Sequence, residues 1–330
     1  MSPSTAPATT APAIPPGDVV GMLTDNLRLR GSVVPLGRAA SSGWARALDL
    51  PRGGPQVLYT GQMYQLMPYL ETLSQARAKI ADSPLARMSG LGRRINRFVN
   101  VTAFLGRPSR TERDRVDRIL TDITAVLRAA GVTPGYLYED DLYTGALVYD
   151  YGEDEVVRTQ GLRILTNLRA AGVEEIITVD PHTTHMMRSV FPSMIHGFDV
   201  RVRNYLDVLA ESAPPARRTL DETAVIHDSC LFARAENVIE APRELLRGSG
   251  VNLPEADRSG SLTWCCGGPA ESLYPERAAA NARIRVEQLR EVAGTAVTMC
   301  PVCLINLSKA ADGGLHLEDV SHYLRRAYDD

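Results

Sequence analysis

The chain has 330 residues, 44% of them hydrophobic and 23% charged, and a formal net charge of −3 at pH 7. That length accommodates two domains, and that balance excludes a disordered chain or a strongly basic nucleic-acid binder. The five cysteines, odd in number and including an adjacent pair, argue against a disulfide framework.

Residues 2–16 are Pro, Ala, Ser and Thr apart from Ile14. Such a segment cannot bury a core, so a disordered tail is expected over 1–16, followed by an N-terminal arm over 17–50. The tail lacks the basic start and apolar run of a secretory signal, and no stretch approaches the roughly 18 apolar residues of a membrane span. A cytoplasmic chain is expected, one that meets a membrane only peripherally, through a partner complex. The first strand signal is VLYTG at 57–61. Residues 77–118 then carry eleven Lys or Arg against four Asp or Glu. Within them Leu91, Ile95, Phe98 and Val99 recur at helical spacing beside Arg93, Arg94 and Arg97. This basic helical insertion, about 77–130, reads as a solvated helix or as a docking face for a partner subunit or membrane complex.

The later chain repeats an earlier part of itself. Residues 176–183 (IITVDPHT) and 296–303 (AVTMCPVC) each join an apolar run to a proline, and each follows a helical stretch, GLRILTNLRAAG or ARIRVEQLREVAG. Aligned on the prolines, Asp180 matches Cys300 and Thr183 matches Cys303. Tyr143-Thr144-Gly145 falls where Cys265-Cys266-Gly267 falls, and VLYTGQ ending at Gln62 aligns with VIHDSC ending at Cys230. Alternating helices and short buried strands (VLYTG, EIITVD, AVIHD, TAVTM) predict an α/β fold with mostly parallel sheets. We expect two tandem duplicated domains, a degenerate first copy over 51–213 and a second over 216–330, meeting near Pro214-Pro215.

The cysteines follow the spacing C-x34-CC-G-x32-C-P-x-C, from Cys230 through Cys265 and Cys266 to Cys300 and Cys303. All come at predicted strand ends, where ligands gather in open α/β sheets. Gly267-Gly268 allows a tight turn after the pair, and Pro301 suits the first turn of a helix whose free N–H groups face the sulfurs. Four thiolates complete a zinc site and leave a fifth unused, so a multi-iron cluster is the leading expectation and zinc the alternative. A thioredoxin-type pair needs only the C-x-x-C, and ordinary buried cysteines leave the grouping unexplained.

HDSC at 227–230, APRELL at 241–246, WCCGGP at 264–269 and CPVCLINL at 300–307 closely resemble the cysteine-rich CCG domain. That domain occurs in the B-type and D-type subunits of heterodisulfide reductase and in the iron–sulfur subunits of glycolate oxidase and lactate-utilisation complexes. The resemblance covers roughly residues 50–330, and members usually carry two such domains in tandem. It implies a non-cubane [4Fe–4S] cluster held by Cys230, Cys265, Cys266, Cys300 and Cys303. It also implies electron transfer between a partner's clusters or flavin and a thiol, disulfide, quinone or flavin. Gln62, Tyr143, Thr144, Asp180 and Thr183 stand at the first-domain ligand positions, so one cluster is expected instead of two. The ferredoxin-type cysteine run of fused relatives is missing here, which makes a ferredoxin-type iron–sulfur subunit and a flavin or membrane cytochrome subunit the expected partners.

His182 and His185 (HTTH) are candidates for a metal-binding or proton-supplying role, or for helix capping and packing. His227 can hydrogen-bond a sulfur or pack in the core. Trp264 reads as a shield beside the pair, and Arg234 and Arg243 as surface arginines or as compensation for an anionic centre. No dinucleotide fingerprint or phosphate loop occurs in strand–helix context. The expected function is an iron–sulfur electron-transfer subunit of an oxidoreductase complex, heterodisulfide reductase-like. The alternative is a zinc-stabilised scaffold or assembly module of a dehydrogenase complex.

Overall fold

A computed structural model describes residues 15–34, 36–81, 108–212 and 215–328. Most of the tail, and the basic stripe around Arg93, Arg94 and Arg97, lie outside the described residues. In chain order the architecture opens with α1 (Pro16–Arg30), β1 (Gln56–Tyr59), α2 (Met63–Ala81), α3 (Arg110–Ala129) and β2 (Gly135–Tyr136). It continues with α4 (Asp154–Ala170), β3 (Glu175–Thr178) and α5 (Pro181–His185), which runs on through a π-turn into α6 (Phe191–Met194). β4 (Arg201–Asn204) and α7 (Tyr205–Ser212) close the first half. The second half holds β5 (Val225–His227), α8 (Glu240–Gly248), α9 (Pro275–Arg290), β6 (Thr295–Thr298), α10 (Pro301–Ala311), β7 (His316–Asp319) and α11 (Val320–Tyr328).

The strands form two sheets, β2-β1-β3-β4 and β5-β6-β7, parallel throughout. The series β1-β3-β4 and β5-β6-β7 are the same three-strand unit twice, as the repeat predicts. Their central runs, Val57-Leu58-Tyr59, Ile176-Ile177, Val225-Ile226 and Ala296-Val297, are buried, as parallel strands covered by helices on both faces must be. The repeat extends to the polar edge strands, which the strand signals missed: Asn204 accepts from Leu206 N and Asp207 N, and Asp319 accepts from Ser321 N.

Part of the insertion belongs to the core. Ser109 and Glu112 close a capping box at the start of α3 (Glu112 N to Ser109 Oγ 3.2 Å, Ser109 N to Glu112 Oε2 2.7 Å). Val116, Ile119, Leu120, Ile123, Val126 and Leu127 then line one buried face, which packs on α2 and α11. The halves meet with α2 against α10, and with α5 against the π-turn Leu231–Ala235 that follows Cys230. Tyr64 donates to Asp319 at 2.6 Å across this junction. Among the described residues no helix is long and apolar enough to cross a membrane.

Candidate metal centre

Cys230 follows the end of β5, and Cys300 and Cys303 follow the end of β6. Cys265 and Cys266 lie instead in an irregular loop after the 3-10 turn Gly260–Leu262, where the sequence predicted a strand end. Cys300 caps α10 in extended backbone (φ −131°, ψ 122°), with Pro301 at the first helical position, where its missing N–H costs nothing. Gly267 takes a left-handed φ of 79°, and a Cβ there would lie 3.0 Å from Ala278 O. At Gly268 a Cβ would fall 2.2 Å from Val302 Cγ1. The two glycines therefore let the vicinal cysteines fold closely against α9 and α10.

The five sulfurs gather in one cluster. Cys230 meets Cys265 at 3.8 Å, the Cys266 and Cys303 sulfurs lie within 4.8 Å of each other, and Cys265 and Cys300 interact electrostatically with their neighbours Cys266 and Cys303. All five are free, and 3.8 Å is far beyond a disulfide bond. Backbone N–H groups point at the sulfurs: Gly267 N to Cys265 and Gly268 N to Cys266, both 3.4 Å. Cys266, Cys300 and Cys303 are buried; Cys230 and Cys265 are half-buried and form the open side.

Their acidities divide. The neighbouring Cys230 and Cys266 sulfurs hold Cys265 far below the ordinary thiol value, even though burial opposes it. Cys300 is also lowered, against its burial, by Cys303 and by His182. Cys230, Cys266 and Cys303 are raised, each first by its neighbouring sulfurs and then by burial, except that Cys303 works against the rise at Cys266. Five gathered cysteine sulfurs, two of them met by backbone amide donors, suit a thiophilic metal, and five sulfurs exceed what a single tetrahedral ion takes.

The histidines divide as well. His182, from the first half, places Nδ1 3.9 Å from Cys300 Sγ and 3.8 Å from Asp180 Oδ1. Burial opposes its charge, yet Cys300, Asp180 and Asp150 bring it up to about 9. His185 lies apart and bonds Glu236 at 2.7 Å, a second link between the halves. A ring nitrogen of His227 lies within 4.8 Å of the Cys266 and Cys303 sulfurs. Trp264 is half-buried beneath the Arg258 guanidinium, 5.0 Å from its ring. Arg234 is exposed, but Arg243 is not the surface arginine its composition suggests. It is buried, bonded to both oxygens of Asp228 (2.7 and 2.9 Å) and to Glu255, and two carboxylates already answer its charge.

The first half keeps the frame of this site with other side chains inside it. Asp180 caps α5 in extended backbone and accepts from His182 N and Thr183 N, as a helix N-terminus favours. Gly145 repeats the left-handed turn of Gly267, at φ 89°. Tyr143 and Thr144 are fully buried, and the Tyr143 hydroxyl accepts from Leu147 N at 2.9 Å. Thr183 donates to Thr60 O at 3.3 Å. Gln62 departs from the pattern: its φ is 58° where Cys230 has −60°, and its amide turns to Asp141 O. Asp141, which the sequence did not single out, accepts from Thr60 and Gly61 at the end of β1. Arg285 was likewise unforeseen; its place on the buried stripe Ala278, Ala282, Val286 and Leu289 was the available signal.

Residues 224–308 match the family model for the CCG cysteine-rich domain. Relatives carry the comparison further. One is the "Probable iron-sulfur-binding oxidoreductase FadF" of Bacillus subtilis, 28% identical over 228 residues, 65% of this chain and 32% of that protein. Another is the EtfAB:quinone oxidoreductase of Syntrophomonas wolfei, 26% identical over 214 residues, 61% of this chain and 29% of that one. A third is the D-type subunit of the dihydromethanophenazine:CoB–CoM heterodisulfide reductase of Methanosarcina barkeri, 26% identical over 199 residues, 57% and 49% of the two chains. The chain thus spans about a third of the first two relatives.

Proposed function

We propose that the chain is an iron–sulfur electron-transfer subunit of an oxidoreductase complex, with Cys230, Cys265, Cys266, Cys300 and Cys303 holding one non-cubane [4Fe–4S] cluster. The observation that carries this reading is the gathering of five free cysteines in one place, three of them buried and two reached by backbone N–H groups. The similarity to iron–sulfur and quinone oxidoreductases supports it. When bound, such a cluster accepts and returns one electron at a time. The chain's own residues exclude water on the Cys266–Cys303 side, direct amide dipoles at the sulfurs, and leave the Cys230–Cys265 side as the approach for a redox partner. That partner supplies electrons from an iron–sulfur centre or flavin, and a thiol, disulfide, quinone or flavin is the acceptor class. Tyr143, Thr144, Asp180 and Thr183 fill the first-half frame, so the chain holds one cluster and not two.

A stepwise electrochemical titration of anaerobically purified protein tests this. The expected result is uptake of one electron per chain, with bleaching of visible absorbance and a change in the EPR spectrum. Protein with no redox-active absorbance and one zinc per chain would instead establish the assembly-module reading, for which the closeness of His227, Cys266 and Cys303 is the favouring feature.

A further inference from the structure

His227 ends β5 with its side chain wholly buried. Its Nδ1 lies 3.1 Å from Nε of Arg285, on α9. A guanidinium N–H can only donate, so Nδ1 must accept and the ring proton resides on Nε2. Arg285 is itself fully buried and held by Asp257 O, Arg258 O and Gln288, so it has little freedom to release the ring. His227 Nε2 has neither a hydrogen-bond partner nor exposed surface. An N–H left bare in a protein interior is costly, and the sulfurs of Cys266 and Cys303 are the acceptors gathered around this ring.

We propose that His227 delivers its Nε2–H to the Cys266–Cys303 sulfurs of the loaded centre, and that Arg285 acts as the positioning residue that fixes this tautomer. The consequence is electrochemical. Reduction adds negative charge that spreads onto the sulfurs, so an N–H donor strengthens in the reduced state and raises the potential. No proton moves: the ring stays neutral, and one electron enters or leaves. Arg285 keeps the donor aimed by holding the other ring nitrogen, Nδ1.

This inference rests on the iron–sulfur reading, and the two fail differently. Wild-type protein without iron sinks that reading and leaves no potential to tune. With iron present, redox titration of the full chain compares His227→Leu with His227→Gln, whose amide N–H can replace Nε2–H. The expected result is equal iron content in all three proteins. In His227→Leu the equilibrium constant for reduction falls about tenfold, a shift of about 59 mV to lower potential, and His227→Gln recovers most of it. A leucine variant within twofold of wild type, or equal potentials in the leucine and glutamine variants, overturns the proposal. A second measurement survives a poorly folding leucine variant. In a His182→Gln background, which removes the histidine beside Cys300, 15N-histidine labelling is expected to alter the pulsed-EPR spectrum. An unaltered spectrum overturns the proposal.

Discussion

Five gathered sulfurs are not equivalent, because burial and neighbours differ at each. Cys266 and Cys303 lie inside, against α9 and α10, while Cys230 sits at the open side. Cys266→Ser and Cys303→Ser are therefore expected to abolish iron retention, whereas Cys230→Ser retains a measurable fraction; iron per chain after desalting decides this. The Arg243 clamp is a structural counterpart. Its guanidinium and the Asp228 carboxylate are both nearly inaccessible, so Arg243→Met strands a buried charge two residues before Cys230. Loss of one partner of such a pair costs about 3–5 kcal/mol, and urea unfolding is expected to show a loss of that order. The cysteines were legible in the sequence because a thiol's preference for metals is intrinsic and their spacing is distinctive. Arg243 and Arg285 were not, since an arginine is surface or core only according to which carboxylates, carbonyls or rings fold against it.

At the scale of elements, helix α11 is tied to α3 through a histidine. His322 Nδ1 bonds Asp122, and although burial opposes its charge, Asp122 and Asp319 raise its pKa. A raised folded-state value means that this contact stabilises fully below the unfolded value of about 6.5, and is lost as pH rises through the folded value. Urea midpoints measured from pH 6 to pH 9 should fall with rising pH in the wild type and less steeply in His322→Gln. Strands β1, β3, β5 and β6 were readable because each is an apolar run ending in a turn. β4 (Arg201–Asn204) and β7 (His316–Asp319) were not, because both are rich in polar residues and resemble loop. β2 is only two residues long. Strand order was beyond reach, because parallel pairing joins residues such as Gln56 and Glu175 that local sequence does not connect.

At the scale of the molecule, the repeat explains why a half with no cysteine accompanies one with five. The first half supplies His182 to Cys300, and it is joined to the second half through His185 with Glu236 and Tyr64 with Asp319. Its own frame is retained at Gly145 and Asp180 but broken at Gln62, whose left-handed backbone does not match that of Cys230. Replacing Gln62, Tyr143, Thr144, Asp180 and Thr183 together by cysteine is therefore expected to leave iron well short of a doubled content, about eight per chain. A full doubling would show that the first site lost only its ligands. The central claim is that the five thiols hold one multi-iron cluster. Iron, acid-labile sulfide and zinc per chain in anaerobically purified wild-type protein test it most directly. The account predicts about four iron and four sulfide with negligible zinc; one zinc per chain, with neither iron nor sulfide, would contradict it.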